Sequence, residues 1–193
     1  MKLILNSVYD KFKDKKTNVK VEVFKLFDTY DIEDLLYTFQ TKENELASIV
    51  AYEEESKGEV NLDVRNTKIY KEDSLSFPDI SSKLSSLINL FDDKPENYIP
   101  IELNFLEYEI GSKFIKHNDD SYNPYARQRR YTTVTMLEKS DDLIGGDLIV
   151  DDKDVVNLQV GETIIFKSNT FHEVTEVLKG NRKVLVCWIH NKY

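Results

Sequence analysis

Cysteine is nearly missing from this sequence of 193 residues: Cys187 stands alone. One thiol permits no internal disulfide and no zinc site of the multi-cysteine kind, so a reducing, intracellular compartment is expected. Long apolar runs are missing too. The longest, Val184 to Ile189, falls far short of the roughly 20 residues that cross a bilayer. At the N-terminus only Leu3, Ile4 and Leu5 stand close together before charge returns at Asp10 and Lys11, whereas a signal peptide needs an apolar region of about 7–15 residues. Neither secretion nor membrane insertion is expected, and the protein reads as soluble. Positive charge is also in deficit. With 26 Lys and Arg against 35 Asp and Glu the formal net charge is −9, which disfavours sequence-independent grip on a phosphate backbone. Histidine occurs three times and tryptophan once.

What is present suffices for a folded core. The composition is 40% apolar and 32% charged, which argues against wholesale disorder, and the length predicts one domain over residues 1–193. No repeat or Gly/Ser linker divides the chain. Residues 1–100 read as a support layer. Within it Ile32, Leu35, Leu36 and Phe39 recur at helical spacing, as do Ile80, Leu84, Leu87, Ile88 and Phe91, the second set preceded by Pro78 and Asp79 as start signals. Asp79 would be a cap only if the helix begins there. Ser48 to Tyr52, Glu59 to Val64 and Lys68 to Tyr70 read as short strands. From residue 101 to 190 the texture becomes strand-length: Ile101 to Tyr108, Tyr131 to Leu137, Gly146 to Val150, Thr163 to Lys167 and Val184 to His190. Turn residues separate them at Asp141-Asp142, Gly145-Gly146, Asp151-Asp152, Gly161 and Gly180-Asn181. The expected class is α+β, an antiparallel sandwich or barrel flanked by helices from the N-terminal half.

His117 and Asp119 stand two apart, and on a strand such residues project to the same face. Alone the pair could be a hydrogen-bonded surface feature. Adding His172 makes two histidines and one carboxylate, the facial set of non-haem Fe(II) oxygenases, which leaves three adjacent coordination positions open. His172 follows His117 by 55 positions, which allows the intervening strands to fold back across a barrel.

The run Tyr108-x-x-Gly111-x-x-Phe114-x-x-His117-x-Asp119 resembles the entry segment of the 2-oxoglutarate and Fe(II)-dependent oxygenases of the prolyl 4-hydroxylase type. Arg129-x-x-Thr132, Leu137, Gly145-Gly146-x-Leu148 and Gly161-x-x-Ile164-x-Phe166 are similar to that family's successive strands. His172-x-Val174-x-x-Val177-x-x-Gly180-x-Arg182 and Trp188 complete the pattern, which covers about half the chain. The resemblance implies a double-stranded β-helix (jelly-roll) core. It also implies that His117, Asp119 and His172 bind Fe(II), that Arg182 binds the C5 carboxylate of 2-oxoglutarate, and that O2 and ascorbate take part. The implied reaction hydroxylates an unactivated C–H bond, with release of succinate and CO2, on a prolyl residue of a peptide or protein. A lysyl or small-molecule substrate, or a catalytically silent jelly-roll binding module, are the alternatives. Nucleic acid is disfavoured by the charge, although Arg127, Arg129 and Arg130 form a small basic cluster.

The residues support Arg182 independently. The chain has five arginines against 21 lysines, and a guanidinium holds a carboxylate by two parallel hydrogen bonds. A solvated strand-end cation is the plainer alternative. Trp188, six positions on, should share its side of the sheet and wall the pocket. Two departures from the family stand out. Met136 occupies a position where many members have a carboxylate-binding tyrosine, so Tyr108 is expected to supply that hydroxyl. Glu176 replaces a proline in a turn. Residues 120–130 are expected to be either a substrate-covering loop or a plain connection. Cys187 reads as a core residue and His190 as structural or exposed, neither as a site residue.

Overall fold

The structure, a computed structural model, describes residues 22–48, 60–120, 126–152 and 154–192. Helical spacing becomes helix at both expected places. Helix α1 (Thr29–Thr41) buries Ile32, Leu35 and Phe39. It starts at a capping box, with the Asp31 N–H donating to Asp28 Oδ1 at 3.0 Å and the Asp28 N–H to Asp31 Oδ2 at 2.9 Å. Helix α2 (Pro78–Phe91) has Pro78 in its first turn, where a missing N–H costs nothing. Its cap position is Phe77, without a side-chain cap bond, so Asp79 lies in the first turn and is not the cap. Among the described residues no helix is long and apolar enough to cross a membrane.

Strands β1 (Glu22–Lys25), β2 (Glu45–Leu46), β3 (Arg65–Asn66) and β4 (Lys68–Asp73) precede α2. After it come β5 (Tyr98–Tyr108), β6 (Lys113–His117), β7 (Arg129–Lys139), β8 (Ile144–Gly145) and β9 (Leu148–Val150). β10 (Asp154–Val156), β11 (Glu162–Lys167), β12 (His172–Val174), β13 (Val177–Lys179) and β14 (Arg182–Asn191) follow. Among the described residues, seven strands form one sheet in the order β1-β11-β7-β14-β5-β4-β2, and five form a second in the order β10-β9-β12-β6-β3. Pairing is antiparallel, and the two sheets face each other as a double-stranded β-helix.

The central strands of the larger sheet are buried on both faces, which explains their near-continuous apolar sequence. Val184 and Val186 point between the sheets with Leu106, Val134 and Val174. Leu185, Cys187 and Ile189 point the other way, with Leu103 and Phe105, against Leu35, Phe39, Leu84 and Ile88 of the two helices. Cys187 is thus a core residue, and burial pushes its thiol pKa up. The N-terminal half also does more than support: β1 covers the edge of β11, β4 that of β5, and β3 that of β6. Pairing satisfies backbone groups that an open edge would leave exposed.

Several strand expectations change. Of Ser48 to Tyr52, residues 49–52 lie outside the described residues, as does Glu59. Residues 60–64 form a turn instead, because the Asn61 carbonyl accepts from the Val64 and Arg65 N–H groups at 3.1 and 2.8 Å, and its side chain accepts from the Asp63 N–H at 3.1 Å. The segment from Gly146 becomes strand only at Leu148, because Gly146 has φ +65°. β6, β12 and β13 escape a periodicity reading because they are short and carry charged or site residues in place of apolar alternation.

Candidate metal and co-substrate site

β6 and β12 are neighbours in the smaller sheet, with His117 opposite His172. Two steps along β12 from His172 to Val174 match three along β6 from His117 to Phe114, which marks a β-bulge. The bulge brings Phe114 and His117 to the same inner side, where their rings stack at 3.5 Å. The bulge also supplies a carbonyl: His117 Nδ1 lies 2.7 Å from the Ile115 oxygen. His172 Nδ1 lies 3.0 Å from the Thr170 oxygen. Each contact requires Nδ1–H, so Nε2 keeps its lone pair in both rings.

β6 ends at His117, so Asp119 does not reach the site by strand alternation. Its N–H instead donates to the Ser168 carbonyl at 2.8 Å, tying it to the segment between β11 and β12. Asp119 Oδ2 accepts from the Thr132 hydroxyl at 2.7 Å, and Thr132 Oγ1 lies 3.1 Å from Ser168 Oγ. The outcome is a convergent group. His117 Nε2 is 3.8 Å from Asp119 Oδ1, His172 Nε2 is 3.5 Å from Asp119 Oδ2, and the three ligand atoms lie within 4.8 Å of one another. Two neutral imidazoles and one carboxylate on one side of a cavity fit a divalent first-row metal with open positions. Burial first, and then the neighbouring His172, lowers the His117 pKa to about 3, which disfavours protonation of its ring. Burial alone would raise Asp119, but the two histidines, Thr132 and Arg129 outweigh it and hold the carboxyl below its ordinary value.

The same cavity extends to Arg182. Arg182 is 2% exposed, and its Nη1 donates to the Gly146 carbonyl. Its Nε has no acceptor, and its guanidinium carbon lies 5.4 Å from the Tyr108 ring centroid. Asp147, which contributes a favourable charge, is exposed. The site thus offers a buried cation whose donors are incompletely used. Gly146 makes this packing possible: a Cβ there would sit 3.3 Å from Arg182 Cδ and 2.9 Å from Val177 Cγ2. Tyr108 lines the same cavity; burial pushes its phenol pKa up, and both Arg65 and Arg182 pull it back. Leu148, Val134, Val184 and Val186 supply the apolar walls.

Met136 is buried between the sheets opposite Val184 and is not among the residues that line this cavity. The Glu176 carbonyl accepts from the Gly146 N–H at 3.2 Å, a turn contact away from the triad. Trp188 lines the cavity with Arg182, as strand alternation predicts. Arg129 is buried over it, guanidinium carbon 3.3 Å from the ring centroid, with Glu102 Oε1 at 3.3 Å from Nη2. That removes Arg129 from any exposed basic cluster. His190 is buried at the end of β14, Nε2 at 3.7 Å from Glu102 Oε1. Of the loop after Asp119, residues 121–125 lie outside the described residues, and Ala126–Gln128 form a 3-10 turn.

Sequence reasoning passed over Arg65. It is 7% exposed and lines the cavity from β3, 52 positions before His117 in a turn-rich stretch that carries no motif. It also passed over Ser168, whose role follows only from its contacts with Asp119 and Thr132.

The jelly roll carries a His-Asp-His group on its inner side, and residues 103–190, somewhat under half of the chain, match the family model of the 2OG-Fe(II) oxygenase superfamily. The description of that family names 2-oxoglutarate and Fe(II). A PKHD-type hydroxylase of Parvibaculum lavamentivorans is 33% identical over 102 residues, 51% of this chain and 45% of that protein. This chain therefore spans less than half the length of that relative. In fold it is similar to a Pseudomonas putida prolyl-4-hydroxylase, with TM-score 0.66 and 17% identity over 91% of this chain and 95% of that one. A prolyl hydroxylase from Trichoplax adhaerens, solved in complex with a hypoxia inducible factor peptide fragment, has TM-score 0.61 and 20% identity over 83% and 76% of the two chains.

Proposed function

We propose that this protein is an Fe(II) and 2-oxoglutarate-dependent dioxygenase that hydroxylates a prolyl residue of a peptide or protein, with succinate and CO2 as co-products. The observation that carries the reading is the buried, incompletely partnered Arg182 guanidinium in the same cavity as the His-Asp-His group. Burying a cation with unused donors is costly unless a ligand completes it, and a dicarboxylate that reaches from metal to guanidinium would do so.

His117, Asp119 and His172 hold the metal. The Ile115 and Thr170 carbonyls keep each Nε2 aimed at it, and the Thr132 hydroxyl steadies the carboxylate. Arg182 pairs with the C5 carboxylate of 2-oxoglutarate, and the Tyr108 hydroxyl assists. Val134, Val184 and Val186 keep bulk water away from the co-substrate. Trp188 presents an apolar wall. When bound, the metal and 2-oxoglutarate supply the oxidising power for an unactivated C–H bond, with ascorbate keeping the metal reduced. The prolyl class is supported by the names of the structural neighbours, one of them holding a peptide.

Purified protein given Fe(II), ascorbate and 2-oxoglutarate should form succinate slowly even without prime substrate, and His172→Ala should abolish this. Equal succinate from both proteins would overturn the oxygenase reading. Arg182→Ala should raise the 2-oxoglutarate concentration for half-maximal rate at least about tenfold; no change would remove Arg182 from co-substrate binding. Mass spectrometry of prolyl peptides for a +16 Da product tests the substrate class.

A further inference from the structure

We propose that this site takes a substrate bearing a carboxylate, and that Arg65 is the residue that binds it. The proposal rests on the oxygenase reading above and deepens it to a substrate class.

Arg65 opens β3, the edge strand beside β6. Its side chain turns inward: the residue is 7% exposed, and its guanidinium carbon lies 4.6 Å from the centroid of the Phe114 ring. Phe114 in turn stacks on His117. The Arg65 charge therefore sits one aromatic ring from a metal-ligand candidate, in the cavity that also holds Arg182. Its polar atoms are poorly used. Nη1 donates to the Ser48 carbonyl at 3.3 Å, and Nε is buried without an acceptor.

Among the described residues three guanidiniums are buried, those of Arg65, Arg129 and Arg182. Arg129 has Glu102 beside it. Arg182 has the co-substrate carboxylate assigned to it. Among the described residues no carboxylate forms an ion pair with Arg65. With metal and co-substrate in place, the two metal charges and Arg182 offset Asp119 and both carboxylates of 2-oxoglutarate. Among the described residues that line the cavity, Arg65 is the charge left over. A buried, unbalanced guanidinium is expensive unless an anion meets it, and its planar donors match a carboxylate better than a neutral carbonyl. In a chain of net charge −9 this is a local inversion of sign, a small cationic pocket within an acidic protein that would favour acidic substrates at close range.

The test uses the 193-residue chain loaded with Fe(II) and 2-oxoglutarate, and N-acetylated proline, lysine and alanine each as free acid and as amide. Binding without oxygen is read from Trp188, the sole tryptophan and part of the same cavity; in air, probe-stimulated succinate is measured. At least one acid should bind about tenfold or more tightly than its amide. Arg65→Gln should erase that preference, and Arg65→Lys should retain part of it, with circular dichroism checking that both variants fold. If no acid outbinds its amide, or if the preference survives Arg65→Gln, the proposal falls. Succinate formed without any probe, compared between wild type and His172→Ala, reports on the oxygenase reading alone and keeps the two failures apart.

Discussion

Thr132 shows how much of a candidate metal-ligand group rests on a side chain outside the group. Its hydroxyl donates to Asp119 Oδ2 from the larger sheet, while both histidines come from the smaller one. Thr132→Val keeps the shape and removes the donor. The expected result is a loss of divalent-metal affinity of roughly 10–100-fold, measured by Mn(II) or Fe(II) titration, with an unchanged circular dichroism spectrum. Retained affinity would show the hydroxyl to be dispensable. A pH effect belongs to the same residue scale. In the metal-free protein, burial and the neighbouring His172 lower His117 to about 3 from an ordinary 6.5. Below pH 6.5 the unfolded chain takes up a proton that the folded chain refuses. Stability is therefore full above about pH 6.5 and declines toward pH 3, by at most about 1.4 kcal/mol per pH unit from this group. Denaturant midpoints at pH 7.5, 5.5 and 4.5 should fall in that order, and His117→Asn should flatten the slope; an equal slope in the variant would assign the effect elsewhere.

At the scale of elements, the decisive features are irregularities. The bulge in β6 turns Phe114 and His117 to one side, and strand alternation over His117 and Asp119 misses it because the strand stops at His117. The residues of the group were legible as a motif, yet the device that gathers them was not. A bulge is set by cross-strand pairing with β12, more than fifty residues away. The Gly145-Gly146 pair is legible as turn chemistry, but its purpose is not: Gly146, at φ +65°, lets Arg182 and Val177 pack against bare backbone. Gly146→Ala should cost about 1–3 kcal/mol through strain and collision. It should also raise the 2-oxoglutarate requirement, because the displaced neighbour is the Arg182 stem. A denaturation curve and a 2-oxoglutarate titration check both halves, and an unaltered titration would separate Gly146 from the site.

For the whole molecule, the ligand candidates join strands of the smaller sheet to a loop anchored by the larger one. A metal that bridges them should stabilise the fold by mass action, by about 2.7 kcal/mol at a hundredfold excess over its Kd. Thermal melting with and without Mn(II) under anaerobic conditions should show an upward shift that His172→Ala loses. A shift that persists in the variant would place the metal elsewhere.

The sequence alone determined the helices α1 and α2, the long strands β5, β7, β11 and β14, and the three ligand candidates with Arg182. Each of these carries a local signal, either a periodicity that burial imposes on neighbouring residues or a motif whose members keep fixed spacing. Only the tertiary structure decided how Asp119 is held, why Arg129 lies over Trp188, and that Arg65 enters the cavity. Those are contacts between residues from about ten to more than fifty positions apart, made by short strands and turns. Their conformations come from pairing and packing across the jelly roll, and no local pattern encodes that.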